Sequence, residues 1–264
     1  MQIMQIMQLM PMQIVYRISA LLTTVLLFGA LQACSSLPAK APVVASVANA
    51  VWQPEDQLKW EVVPIPGKVP TQYSVERLNS RNTLRAEAVS SASMLRKDLH
   101  IPPEQLNQLK FSWQIQKLIE GADMAQRDHD DSPVRVVLAF DGDRNRFSPK
   151  NAMLSELSHA LTGRPMPYAT LMYVWCNHRP VGSVIQNPRT DRIRKLVVES
   201  GAGRLNQWAS YERNIREDYE KAFGEPPGAL IGIGLMTDSD NTRSHSQAWY
   251  GPIQLIATKG LPPL

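Results

Sequence analysis

Val134-Arg135-Val136-Val137-Leu138-Ala139-Phe140 decides the fold class. Val134, Val136, Leu138 and Phe140 fall on one side and Arg135 on the other. That two-residue period belongs to a strand with one buried face. The same alternation runs through Phe111-Ser112-Trp113-Gln114-Ile115 and through Leu84-Arg85-Ala86-Glu87-Ala88. Working outward, strands are expected at residues 60–63, closed by Pro64 and Pro66-Gly67, and at 169–175, 192–198, 230–237 and 248–255.

Only two segments read as helices. Ser148 can cap one, with Pro149 in its first position, Met153, Leu154, Leu157 and Leu161 on one face, and Gly163 ending it. Asn214 can cap the other, with Glu217 three residues on, Ile215, Tyr219, Ala222 and Phe223 apolar, and Gly224 closing it. Neither recurs regularly between strands. The expected architecture is therefore mostly β, a jelly-roll-like antiparallel β-sandwich with two helical insertions.

The chain has 264 residues, 44% hydrophobic and 20% charged, with 14 Gly and 20 Pro, which excludes collagen-like and wholly disordered classes. Its net charge of +4 is spread rather than clustered, which argues against nucleic acid as a partner. Arg17, the apolar run 18–31 and a small residue before Cys34 read as a signal peptide over residues 1–33. Residues 34–56, rich in Ser, Ala, Pro and Val, read as a tether, 57–258 as the sandwich domain, and 259–264 as a tail.

Leu31-Gln32-Ala33-Cys34 resembles the lipobox of bacterial lipoproteins. The resemblance implies lipidation of the Cys34 thiol, cleavage before it, and a membrane partner reached through acyl chains. Ser35 resembles the outer-membrane sorting position, which implies an envelope address facing the periplasm. With Cys34 lipidated, Cys176 has no partner in the chain, and no internal disulfide is expected.

A wider resemblance rests on Val63-Pro64-Ile65-Pro66-Gly67-Lys68, on Leu84 to Ala88, and on residues 127–143 (RDHDDSPVRVVLAFDGD). It continues through 167–175 (PYATLMYVW), 187–201 (NPRTDRIRKLVVESG) and 232–251 (GIGLMTDSDNTRSHSQAWYG). These motifs are similar to a bacterial family known as domain of unknown function 3047. The resemblance implies an exported bacterial protein and carries no activity with it. The order of apolar strand, acidic loop and aromatic strand at the end also resembles galactose-binding jelly rolls, a likeness of architecture alone.

The strand faces supply the candidate ligand site. If the three alternating strands are neighbours, Arg85, Glu87, Gln114 and Arg135 form one polar patch whose planar donors and acceptors suit paired sugar hydroxyls. Tyr173, Trp175, Trp249 and Tyr250 are candidates for a stacking surface, and Asp131 for a further ligand-binding carboxylate. A solvated face with cross-strand ion pairs and core-packed aromatics explains the same residues without a ligand.

Two acidic loops are candidate cation sites: Asp123, Asp128, Asp130 and Asp131, and then Asp238 with Asp240. Calcium suits such oxygen-rich loops, although the spacing is not that of an EF-hand. Pairing with Arg127 and Arg135, and turn-forming side chains in the second loop, account for both without metal. No other cofactor is expected. Nucleophile elbow, His-Glu-x-x-His helix and phosphate loop are all absent from the sequence, and the five His are scattered.

Three function classes follow: a non-catalytic module binding envelope or extracellular carbohydrate, a structural protein binding another envelope protein, and a polysaccharide hydrolase or lyase. The last needs two carboxyl groups across a cleft, for which Glu87 with Asp131 or Asp238 is the candidate pair.

Overall fold

The alternating runs become the two inward faces of a sandwich in the computed structural model, which describes residues 49–258. The first sheet contains β1 (Asn49–Trp52), β14 (Ile253–Ile256), β6 (Gln108–Ile115), β13 (His245–Tyr250), β4 (Arg81–Val89) and β3 (Gln72–Leu78), in that order. β11 (Ala209–Asn214) pairs with β6 as well. The second sheet runs β2 (Glu61–Pro64), β5 (Ala92–Ile101), β12 (Leu230–Asp238), β7 (Ser132–Phe140), β8 (Ala169–Cys176), β10 (Ile193–Ser200) and β9 (Val184–Gln186).

Between the sheets lie Leu84 and Ala86 of β4, Phe111, Trp113 and Ile115 of β6, and Val134, Val136, Leu138 and Phe140 of β7, all buried. The stacked rings of Phe111 and Tyr173, 5.4 Å apart, join the two layers. Each large side chain so buried contributes about 1.5–3 kcal/mol relative to exposure.

Most ladders are antiparallel, as expected, but β8 and β10 pair in parallel. The chain leaves β8, makes the short strand β9, and returns through an antiparallel β9–β10 pair, which sets β10 in the direction of β8. The single strand expected over 248–255 is two strands. Gly251 donates its N–H to Ser112 O and leaves no room for a side chain, since a Cβ there would lie 2.2 Å from Ser112 Oγ. Pro252, with no N–H, then ends the ladder before β14 begins. Both halves still pair with β6.

Structure also begins inside the stretch read as a tether. β1 pairs with β14, and a short helix, α1 (Pro54–Gln57), follows it. Gln57 Nε2 ties that helix to Gly251 O at 2.9 Å. Residues 1–48, with the signal peptide and Cys34, and the tail at 259–264 lie outside the described residues.

Both expected helices form with the expected caps. In α3 (Ile215–Phe223) the Asn214 side chain accepts from Arg216 N and Glu217 N, and Ile215 and Tyr219 are buried. In α2 (Pro149–Thr162) Ser148 accepts from Asn151 N, and Gly163 closes the helix in the left-handed region at φ 73°. Its orientation overturns the usual reading of an apolar face. Asn151 and Ser155 are buried, while Met153, Leu157 and Leu161 are 65%, 52% and 61% exposed. Asn151 Nδ2 donates to Asp191 at 2.6 Å, and Thr190 Oγ1 donates to Asn151 Oδ1 at 2.8 Å. Hydrogen bonds, not apolar burial, hold this helix to the domain.

Candidate functional site

Four of the residues read as a ligand patch do come together. On the outer face of the first sheet, Ser74, Arg85, Trp249 and Gln114 are successive partners across β3, β4, β13 and β6. The next row along the strands is Gln72, Glu87 and Gln247. Arg85 Nη2 donates to Glu87 Oε2 at 2.8 Å, and Glu87 Oε1 lies 3.1 Å from His245 Nε2. The Gln247 amide satisfies its hydrogen bonds when its carbonyl faces Arg85. Trp249 is only 3% exposed and donates its indole N–H to Glu76, so it is not a stacking platform.

Further along β6 the same face opens into a shallow groove of about 450 Å³ lined by Lys110, Ser112, Ser210, Glu212 and Gln254. Lys110 and Glu212 pair across the strands at 3.0 Å. This side of the molecule thus presents hydroxyls, amides and paired charges one strand spacing apart.

The other expected members lie elsewhere. Arg135 is on β7, in the second sheet, and is 3% exposed. Tyr173, Trp175 and Tyr250 are buried within the sandwich. Tyr173 Oη donates to Asp218 at 2.9 Å, Trp175 Nε1 to Gly201 O at 2.9 Å, and Tyr250 Oη to Met236 O at 2.7 Å. Alternation placed Arg135 correctly on the outward face. It could not show that the segment before β7 folds over that face and buries it.

Beneath that cover sits a quartet of charges. Arg135 Nε and Nη2 donate to the two Asp238 oxygens at 2.9 and 2.8 Å, and Nη2 also reaches Asp130 O at 2.8 Å. Lys195, fully buried, donates to both Asp130 oxygens at 2.6 Å and to Met124 O at 2.8 Å. Asn187 completes the shell of Asp130. Burial works against the Arg135 charge, but Asp238 and Asp130 more than offset it and hold its pKa above the ordinary arginine value. Burial first, and the Arg135 charge second, pull the Lys195 ammonium down to about 8 against the attraction of Asp130. Burial pushes Asp238 up to about 7, with Arg135 pulling the other way. Lys195 and Asn187 carry no alternation signal that would have singled them out.

The two acidic loops meet, bringing Asp131, Asp238 and Asp240 close enough to share a cation. Protein donors already serve each of them. Asp131 accepts from Asn241 Nδ2 at 2.9 Å and from Thr242 N and Oγ1 at 2.7 and 2.6 Å. Asp238 is held by Arg135, and Asp240 Oδ2 lies 2.5 Å from Lys68 Nζ. Asp128 is exposed in a short 3-10 turn, and Asp123 pairs with Arg179. Ammonium, guanidinium, amide and hydroxyl donors thus balance these carboxylates without a metal. Excess chelator is accordingly expected to leave the thermal unfolding midpoint in place; a fall of several degrees would show that a cation holds these loops.

Glu87 lies on the outer face of the first sheet, whereas Asp131 and Asp238 are buried in the loop network at the end of the second. They do not flank a common cleft. Cys176 is a buried free thiol packed with Met124, Val174 and Val197.

Two seven-stranded sheets, Greek-key-like connections and an open polar sheet face define a jelly-roll-type β-sandwich domain. Several solved structures are similar at low identity and low TM-score. The family 11 carbohydrate-binding module of Lic26A-Cel5E from Clostridium thermocellum is similar at 10% identity and TM-score 0.35, covering 83% of this chain and 100% of the module. The xyloglucanase domain of NopAA from Sinorhizobium fredii is similar at 8% identity and TM-score 0.40, covering 81% and 100%. The glycoside hydrolase domain of Endo-D from Streptococcus pneumoniae R6 gives 8% identity and TM-score 0.31 over 74% of this chain, which spans only 22% of that one. No curated protein matches the sequence. Residues 58–254 match the model of the family described as Protein of unknown function (DUF3047), and the chain belongs to that family.

Proposed function

We propose that this domain is a non-catalytic carbohydrate-binding module of the bacterial envelope, using the outer face of the first sheet. The observation that carries this is the accessible polar cluster of Ser74, Arg85, Glu87 and Gln247, backed by buried Trp249 and Gln114, on the face that also holds the groove between Ser112 and Ser210. Each planar guanidinium, carboxylate or amide can bond two neighbouring sugar hydroxyls, and the groups repeat at strand spacing for a polysaccharide chain lying across the strands. With Trp249 buried, such contacts rest on hydrogen bonds rather than ring stacking, which favours weak binding that becomes useful on a polymer.

Affinity electrophoresis against soluble β-glucans, xylan and solubilised peptidoglycan tests this reading. Arg85→Ala is expected to weaken retention about tenfold while leaving the unfolding midpoint within a degree or two, because Arg85 is surface-paired. Unretarded migration with every glycan would overturn it.

The envelope address belongs to the same proposal, with Cys34 lipidated and the domain held at the outer membrane. Several acyl chains at about 0.8 kcal/mol per buried methylene would anchor it firmly. Cys34→Ser should therefore move the protein from the membrane to the soluble periplasmic fraction, and unchanged fractionation would remove the anchor. A second reading, an accessory protein bound to another envelope protein, is favoured by one observation, the exposed apolar stripe of α2.

A further inference from the structure

The outer face of the second sheet differs in chemistry from that of the first. In β12, Gly232 and Gly234 are consecutive outward positions, and side chains of β5 lean into the room they leave: Arg96 Nε lies 3.3 Å from where a Gly232 Cβ would be, and Met94 Sδ 2.7 Å from where a Gly234 Cβ would be. Gly232 faces Ala139 on β7, which adds only a methyl group. Met94, Met172 and Met236 stand around this low strip, and the cavity between them measures about 210 Å³. Its lining comes from every strand between β2 and β10 and is mostly apolar. Thioether side chains, flexible and polarizable, suit a chain of variable length better than a rigid ring.

One end is charged. Arg96 borders both this cavity and an adjoining groove of about 510 Å³ between β2 and the last turn of α2. Arg96 Nε lies 2.8 Å from Asp98 Oδ1 without forming a hydrogen bond. Among the described residues no hydrogen bond engages its terminal nitrogens, and Nη2 lies over the glycine strip, 3.5 Å from where a Gly232 Cβ would be. Arg164, the second guanidinium at this mouth, is engaged by Asp98 and Glu61 at 2.7 and 2.8 Å. Arg96 shares Asp98 through Nε and keeps its two terminal nitrogens for a ligand beside the apolar slot, an arrangement that can receive a carboxylate at the head of an alkyl chain.

We infer that this trough is a binding site for a single-chain anionic amphiphile of the fatty-acid class. The alkyl chain occupies the cavity between Met94, Met172, Met236 and Ala139, and the carboxylate meets Arg96. This site is separate from the glycan face and does not depend on it.

The test uses residues 44–264, a compact unit holding both sheets, with methionine methyls labelled with carbon-13. Dodecanoate, kept below its micelle concentration, is expected to shift the Met94, Met172 and Met236 signals saturably while leaving Met153 on α2 unmoved. Ala139→Leu fills the slot and should abolish those shifts. Arg96→Gln should weaken dodecanoate about tenfold and leave 1-dodecanol unchanged. Three unmoved methyl signals in the wild-type domain would overturn the site, whether or not Ala139→Leu folds. Equal affinity of Arg96→Gln and wild type for dodecanoate would overturn the head-group assignment. Phosphatidylglycerol vesicles that shift the same methyls when dodecanoate does not would replace the free amphiphile with a bilayer surface.

Discussion

Arg135→Ala is expected to lower stability by about 3–5 kcal/mol in urea titrations, a large share of the 5–15 kcal/mol a domain of this kind possesses. The substitution removes a guanidinium that is 3% exposed and leaves Asp238 and Asp130 buried beside each other with one cation, Lys195. Two carboxylates sharing a single positive partner must either repel or take up a proton. The mean strand pairing survives in principle, since Arg135 and Met236 are partners through their backbones. What fails is the electrostatic neutrality of the interior. Replacement of all four members, Arg135, Asp238, Asp130 and Lys195, by apolar residues of similar volume should recover much of the loss, because a buried ion network adds little over well-packed apolar groups and no lone charge is left behind. A loss under 1 kcal/mol for Arg135→Ala would mean that water reaches the quartet.

The second large effect is a pH dependence centred on Lys195. Its pKa falls from the ordinary 10.5 to about 8 in the folded protein, a differential interaction of about 3 kcal/mol. Between pH 8 and 10.5 the unfolded chain binds more protons at this residue than the folded one. The stability contributed by Lys195 therefore rises with pH across that window. Below pH 8 both states are protonated and the residue gives no slope. Lys195→Met lacks the titration, so the stability gap between wild type and variant should widen by about 3 kcal/mol in favour of wild type from pH 7.5 to 10.5. A gap that stays constant would mean that Asp130 offsets the whole desolvation of the ammonium.

Sequence alternation revealed the interior well and the exterior poorly, for a reason visible in single residues. Leu84, Phe111, Trp113, Val136 and Leu138 are readable as inward because an apolar side chain opposite a polar one has only one economical placement. Arg135 obeys the same rule, yet its burial depends on the segment just before β7 folding back over the strand, which alternation does not record. β5 escaped notice because Met94 on its outer face and Ser93 on its inner face blur the alternation. For the candidate glycan face, the alignment of Arg85 with Trp249 and Gln114 required knowledge of the register, which no single strand carries. The trough on the second sheet was illegible for a simpler reason: Gly232, Gly234 and Ala139 act by what they lack.

The reversed helix α2 has a consequence for the order in which the molecule comes apart. Lifting it off would break ties such as those of Asn151 and Ser155 and withdraw Met153, Leu157 and Leu161 from nothing. The helix is therefore expected to open before the sandwich, its amides exchanging first under native conditions, which hydrogen exchange would read. Ser158, Leu161 and Thr162 form one wall of the groove that holds Arg96. The doorway to the second sheet is therefore hung on an element that the core scarcely grips, so its width can be tuned by substitutions that leave the sandwich interior untouched.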